Sequence, residues 1–166
     1  MLSKFARVKE FYAMIELDKI DRLLLKLLGN DSNQTIKELS KQVNLSPTPV
    51  QQRIKRLENE GYIKKYIALL DPEKFSHGFI VFCNIKLKQH DRDIGHRFVQ
   101  DIQQIDEVVE CYNISGDYDF ILKVFARDMK HYQEFVLNKL GTVESIGSTH
   151  STFVMAEIKN MHNITF

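Results

Sequence analysis

Several things are scarce in this sequence of 166 residues, and each scarcity excludes something. It holds two cysteines, Cys83 and Cys111, and no C-x-x-C pair. Both lie in apolar, strand-like runs, so the expectation is two buried, reduced thiols and no disulfide framework. No stretch approaches the ~20 apolar residues that a bilayer span needs, and the first residues lack the apolar core of a signal peptide. The expected setting is therefore cytoplasmic, with no membrane partner. A Gly-rich phosphate loop, an H-E-x-x-H pair and a nucleophile elbow are all missing. The six histidines, His77, His90, His96, His131, His150 and His162, show no metal-ligand spacing. No catalytic residue, no metal and no cofactor is expected, and the chain does not read as an enzyme.

A net charge of +1 hides an asymmetry. Residues 1–70 carry 13 Lys+Arg against 8 Asp+Glu, while residues 71–166 carry 10 against 14. A basic N-terminal half beside an acidic C-terminal half suits a nucleic-acid module joined to something else.

What is present centres on Thr35–Gly61, TIKELSKQVNLSPTPVQQRIKRLENEG. Ile36, Leu39 and Val43 recur at helical spacing, as do Val50, Ile54 and Leu57. The turn Asn44-Leu45-Ser46 between them is short enough to fold one helix back across the other. Thr35 with Glu38 makes a capping-box pattern. Ser46 is placed as an N-cap, with Pro47 and Pro49 in the first turn, where a proline breaks no intrahelical bond. Upstream, Leu17, Ile20, Leu24, Leu27 and Leu28 form another apolar stripe, with Asp18 and Asp21 in a first turn that favours acids. The expectation is one trihelical core over residues 17–61 of helix-turn-helix form, whose last helix enters the major groove of double-stranded DNA. On that helix, Thr48, Gln51 and Gln52 are expected to read bases. Ser46 belongs to the same interface, and Arg53, Lys55 and Arg56 are expected to hold the backbone.

Residues 1–16 place Phe5, Val8, Tyr12 and Ile15 at helical spacing. They read either as a short amphipathic helix on a partner or as a frayed arm. Residues 62–76 read as a connecting strand and hinge, with Tyr62–Leu70 rich in β-formers and Asp71-Pro72 as its turn. Lys64 and Lys65 there either touch DNA or keep a strand edge soluble.

Over 77–166 the period changes. Strand-like runs cover 79–88, 108–115, 118–127 and 145–159, and helical runs cover 94–105 and 129–140. The order β-α-β-β-α-β is that of a ferredoxin-like sandwich. The whole chain is thus α+β. Strand 79–88 puts Val81 and Cys83 on one face and Ile80 and Phe82 on the other, yet two helices cover only one face. An open apolar face implies a homodimer with sheets packed together.

The strings LDKIDRLLLKLL, LSPTPVQQRIKRLENEGYI and VVECYNISGDYDFILKV, in this order, resemble the Lrp/AsnC family of transcriptional regulators over about residues 17–160. That resemblance implies a C-terminal module that dimerises, assembles dimers as far as an octamer, and binds a small effector, usually an amino acid. It places the effector at Ser115, Gly116, Asp117, Tyr118 and Asp119, with Thr149 and Ser151 on the last strand. Asp117 or Asp119 would accept from an ammonium, and the hydroxyls with backbone N–H groups would hold a carboxylate. The alternative is a plain Gly-Asp hairpin turn. His150 between the two hydroxyl residues either shapes ligand choice or sits at a strand edge. Two rival functions remain at this point. One is an enzyme on the same architecture, like the haem-pathway decarboxylases that resemble the family. The other is an effector-binding module with no DNA target.

Overall fold

Three helices open the fold: α1 (Lys19–Asn30), α2 (Ile36–Val43) and α3 (Pro47–Asn59). The computed structural model describes residues 17–160 other than 77 and 90. The reading of residues 1–16, the end of the domain beyond 160, and His77, His90 and His162 lie outside these. The described chain divides into two compact units, one ending at Ala68 and one running from Leu69 to Asn160. Among the described residues, no helix is long and apolar enough to cross a membrane.

The second and third helices start where the sequence places them, whereas α1 starts at Lys19 with Asp18 as its cap rather than in its first turn. Asp18 caps α1 by accepting from the N–H groups of Ile20 and Asp21, both at 2.8 Å. Asp21 accepts in return from the Asp18 N–H. Thr35 and Glu38 close the expected box on α2. The three apolar stripes meet in one core of Leu24, Leu28, Leu39, Val43, Val50, Ile54 and Leu57. Each such side chain contributes roughly 1.5–3 kcal/mol on burial. Gly61, with φ of +78°, follows α3 in the left-handed region that glycine enters freely.

The expected strand over 62–70 does not form. Among the described residues, 62–70 take no strand conformation, and Ile67, Leu69 and Leu70 are exposed. β-forming residues supply propensity, but a strand exists only against another edge. Within one chain the four-stranded sheet is already complete.

That sheet holds β1 (Phe79–Leu87), β2 (Val108–Asn113), β3 (Phe120–Ala126) and β4 (Ile146–Phe153) in the order β2-β3-β1-β4. All three pairings are antiparallel. Helices α4 (Arg92–Ile102) and α5 (Met129–Asn138) complete the β-α-β-β-α-β order. β3 alternates in burial as expected, and β1 does so from Val81 on. Val81, Cys83, Ile85, Leu122 and Val124 are fully buried and join Phe98 of α4 and Phe135 of α5 in one core. On the opposite face lie Ile80, Phe82, Ile121 and Phe125, paired Ile80 with Phe125. Lys123 crosses that face, 3.3 Å from Glu110 and 5.4 Å from the Phe125 ring centre.

Candidate nucleic-acid interface and ligand site

The turn into α3 is set by Asn44, the C-cap of α2, whose φ of 55° turns the chain through the left-handed region. The Leu45 N–H then returns to the Ser40 carbonyl at 3.1 Å. Ser46 occupies the N-cap of α3, as expected, but its hydroxyl makes no capping bond. The reason is in the sequence. A serine cap normally accepts from the N–H of the second or third helical residue, and the third is Pro49, which has none. The Ser46 hydroxyl and the Thr48 N–H are therefore left at a helix N-terminus, where backbone donors and the helix dipole favour a phosphate.

Along α3, Val50, Ile54 and Leu57 are buried, and Thr48, Gln51, Gln52 and Lys55 are exposed on the other side. Those four sit together as the sequence predicts. Arg53 and Arg56 differ from them. Arg53 Nη1 lies 2.6 Å from Asp18 Oδ2 and 2.8 Å from Asp21 Oδ1. Arg56 Nη2 lies 2.5 Å from Asp21 Oδ2. Arg53 and Arg56, expected to hold the DNA backbone, are thus each also tied to the first helix.

Asp21 is 1% exposed. A buried carboxylate without partners would cost several kcal/mol. This one accepts from two guanidinium groups and one backbone N–H. Hydrogen bonds from Arg53 to Asp21 and then Asp18 push the Arg53 pKa up, and the Asp21 N–H leads in holding Asp18 down. The sequence did carry a signal for this. Asp21 falls in phase with Leu17, Leu24 and Leu28, so it is an acid on the buried stripe and needs a basic partner. At the far end of α3, the Tyr66 hydroxyl donates to Glu58 Oε1 at 2.8 Å. Burial, then the Glu58 carboxylate, pushes the Tyr66 phenol up to about 12.

In the second unit, the loop from Ile114 to Asp119 joins β2 to β3, with Gly116 at a φ of +123°. Asp119 is the clip of this loop. Its N–H donates to the Ile85 carbonyl at 2.8 Å, its carbonyl accepts from Ile114 N–H and Asn113 Nδ2, and its carboxylate accepts from Leu87 N–H at 2.8 Å. Asp119 therefore spends acceptor capacity on the fold. Ser115 and Asp117 are exposed, and Asp117 makes no hydrogen bond or ion pair among the described residues. The Tyr118 ring stacks on His150 of β4 with centres 6.2 Å apart. The loop and the last strand do meet, through Tyr118 and His150.

Ile85 pairs with Phe120 on one side and Thr149 on the other. Thr149 thus sits at the level of the loop's end, two strand spacings across, roughly 10 Å. Thr149 is exposed. Ser151, opposite Cys83, is half-buried, and its hydroxyl lies 2.5 Å from the Tyr132 hydroxyl, itself 3.0 Å from Cys83 Sγ. Ser151 is thus bonded inward, away from the loop. Cys83 is a buried thiol as expected, raised by burial. Cys111 is exposed, contrary to expectation, because β2 is an edge strand of the sheet. Among the described residues, no three His, Cys, Asp or Glu side chains cluster to hold a metal.

Two family models match. Residues 17–64 match a winged helix-turn-helix DNA-binding model, and residues 80–164 match the Lrp/AsnC ligand binding domain. The DNA-binding transcriptional activator DecR of Escherichia coli is 39% identical over 143 residues, covering 86% of this chain and 94% of its own. The leucine-responsive regulatory protein of Klebsiella pneumoniae is 36% identical over 149 residues, covering 90% and 91%. Among solved structures, a Neisseria meningitidis transcriptional regulator in complex with L-Met superposes with a TM-score of 0.87 at 33% identity, covering 90% of this chain and 97% of that one. AsnC of E. coli gives a TM-score of 0.82 at 27% identity, covering 90% and 99%. With a helix-turn-helix whose outward face is polar, a ferredoxin-like sheet, and both family models matched along its length, this chain belongs to the Lrp/AsnC family of DNA-binding transcriptional regulators.

Proposed function

We propose that this regulator reads a specific duplex through α3 and changes its DNA affinity or assembly when a small effector, an amino acid, binds the second unit. The observation that carries the DNA reading is the polar face of α3. Thr48, Gln51, Gln52 and Lys55 are exposed together, while Asp21 fixes the helix from behind through Arg53 and Arg56. Thr48, Gln51 and Gln52 meet base edges, with glutamine able to pair bidentately with adenine. Lys55 and the unspent donors around Ser46 hold phosphates. Arg53 and Arg56 reach a phosphate only with the guanidinium nitrogens that Asp18 and Asp21 leave unused.

Asp117, exposed and without a partner among the described residues, supplies the acceptor for an effector ammonium. Ser115, Gly116 and Tyr118 of the same loop and Thr149 on β4 complete the proposed site, with Asp119 holding the loop in place and Ser151 on the same strand as Thr149. The L-Met complex of the Neisseria relative supports an amino acid as the ligand class. The apolar sheet face opposite the helices, with half-buried Phe82, Ile121 and Phe125 beside buried Ile80, supports a homodimer that presents two copies of α3 to paired half-sites. Dimers then assemble further, to an octamer. The residues from Tyr62 to Ser76 act as the hinge between reading and sensing. The protein works in the cytoplasm and is no enzyme. The test is selection of a preferred duplex from a random pool, followed by anisotropy titration with and without each amino acid. Light scattering in parallel gives the oligomer's mass as a multiple of the chain. Failure to select any duplex would overturn the DNA reading. An effector that changes neither affinity nor mass would overturn the regulation.

A further inference from the structure

A groove of about 750 Å³ lies between α4, the end of β1 and the turn after α5. Its size falls within the ~300–1,000 Å³ of small-molecule sites. It lies apart from Asp117 and its neighbours, none of which lines it.

Ser145 lines this groove, is 8% exposed, and its buried hydroxyl has no hydrogen-bond partner. Buried hydroxyls nearly always have a partner, so a vacancy of this kind needs an explanation. Its surroundings supply one. The Lys88 N–H donates to the Ser145 carbonyl at 3.0 Å, which fixes Lys88 beside it at the end of β1. Arg97 faces the same groove from α4. Neither cation makes an ion pair among the described residues, whereas Lys139, also on the groove wall, is held by Glu107 at 2.6 Å. Two cations without ion pairs among the described residues and an unspent hydroxyl line one groove, a donor set for a carboxylate. Ile94 and Val143 add apolar wall for a short carbon chain. Asp101, one helical turn after Arg97, and Glu144 oppose a second negative charge.

We propose that this inter-helical groove is a second ligand site, which takes a small monocarboxylate with Ser145, Lys88 and Arg97 as its anion pole. A ligand ammonium, where present, turns toward Asp101 or Glu144. The site does not depend on the effector reading at Asp117, and the two are separable by experiment.

The probes are butyrate, L-leucine and butylamine, added to the full chain and followed by thermal shift and hydrogen-exchange mass spectrometry. Butyrate is expected to protect the segments around 88–97 and 140–146, in wild type and in Asp117→Ala alike. Butylamine, with the same chain and no carboxylate, is expected to leave them unprotected. Ser145→Ala should keep the unliganded melting temperature, because no internal bond is lost, and weaken butyrate about tenfold, the worth of one hydrogen bond to a charged group. Lys88→Met, on the surface, repeats the test should Ser145→Ala fail to fold. Protection confined to 114–119 and lost in Asp117→Ala would place the ligand at the effector loop and overturn the second site. Equal protection by butylamine, or undiminished butyrate binding in Ser145→Ala or Lys88→Met, would overturn it as well.

Discussion

Arg53 on the reading helix lies 2.8 Å from the carboxylate of Asp21, a residue of the first helix that is 1% exposed. With Arg56 on the same carboxylate, the second helix of the helix-turn-helix is anchored by charge as well as by the packing of Val50, Ile54 and Leu57. Replacing Asp21 by Asn keeps the size and removes the charge. Breaking a fully buried pair costs about 3–5 kcal/mol. Arg53 and Arg56 are 28% and 38% exposed and turn partly to water, so a loss of about 1–3 kcal/mol is expected. Urea unfolding of wild type and variant measures it. An unchanged midpoint would mean that packing alone sets the helix.

The division of labour along α3 is tested by Gln52→Ala and Lys55→Ala. The first should relax base preference, at about 1–3 kcal/mol for its contact. The second should weaken preferred and random duplexes alike and lower the salt slope by about 1. Arg56→Ala should also weaken every site, but it should lower stability too, because Asp21 loses a partner. Identical effects of Gln52→Ala and Lys55→Ala on both kinds of duplex would contradict the assignment.

The hydrogen bond from Tyr66 to Glu58 ties the chain after α3 back onto that helix. With the folded phenol pushed up to about 12 and an ordinary value near 10, the unfolded chain gives up this proton first as pH rises. The contribution of Tyr66 to stability is therefore whole below about pH 10 and is lost toward pH 12. Ultraviolet difference titration of wild type against Tyr66→Phe should show the missing phenol to be a late-titrating one. A phenol that titrates at its ordinary value would remove the contact from the account.

In the loop, Asp119 and Asp117 should separate. Asp119→Ala loses the bond from the Leu87 N–H and should cost about 1 kcal/mol of stability. Asp117→Ala should leave the melting temperature alone and abolish stabilisation by the amino-acid effector. A thermal-shift screen of both variants decides the matter. The reverse pattern would exchange their roles.

Much of this was legible because the local rules agree with one another. The Thr35–Glu38 box, the prolines in the first turn of α3 and the period-two alternation through Val81, Cys83 and Ile85 each point to the structure found. What escaped depended on partners distant in sequence. Nothing near Tyr62–Leu70 says that no edge will be there to pair with it. Asp21 reads as a dipole acid until Arg53, 32 residues on, is seen beside it. Cys111 reads as core until its strand proves to be an edge. Ser46 is legible as the cap, but a proline in a first turn signals only that the helix tolerates it, not that the missing N–H of Pro49 leaves the Ser46 hydroxyl uncapped.

The most direct test of the central claim is the affinity of the chain for its selected duplex and for a scrambled one, measured by anisotropy across a series of salt concentrations. The account predicts tighter binding to the selected duplex at every salt, with affinity for both falling steeply and linearly on logarithmic axes as counterions are released. The preference should shrink in Gln52→Ala. Equal affinity for both duplexes, unmoved by salt, would contradict it.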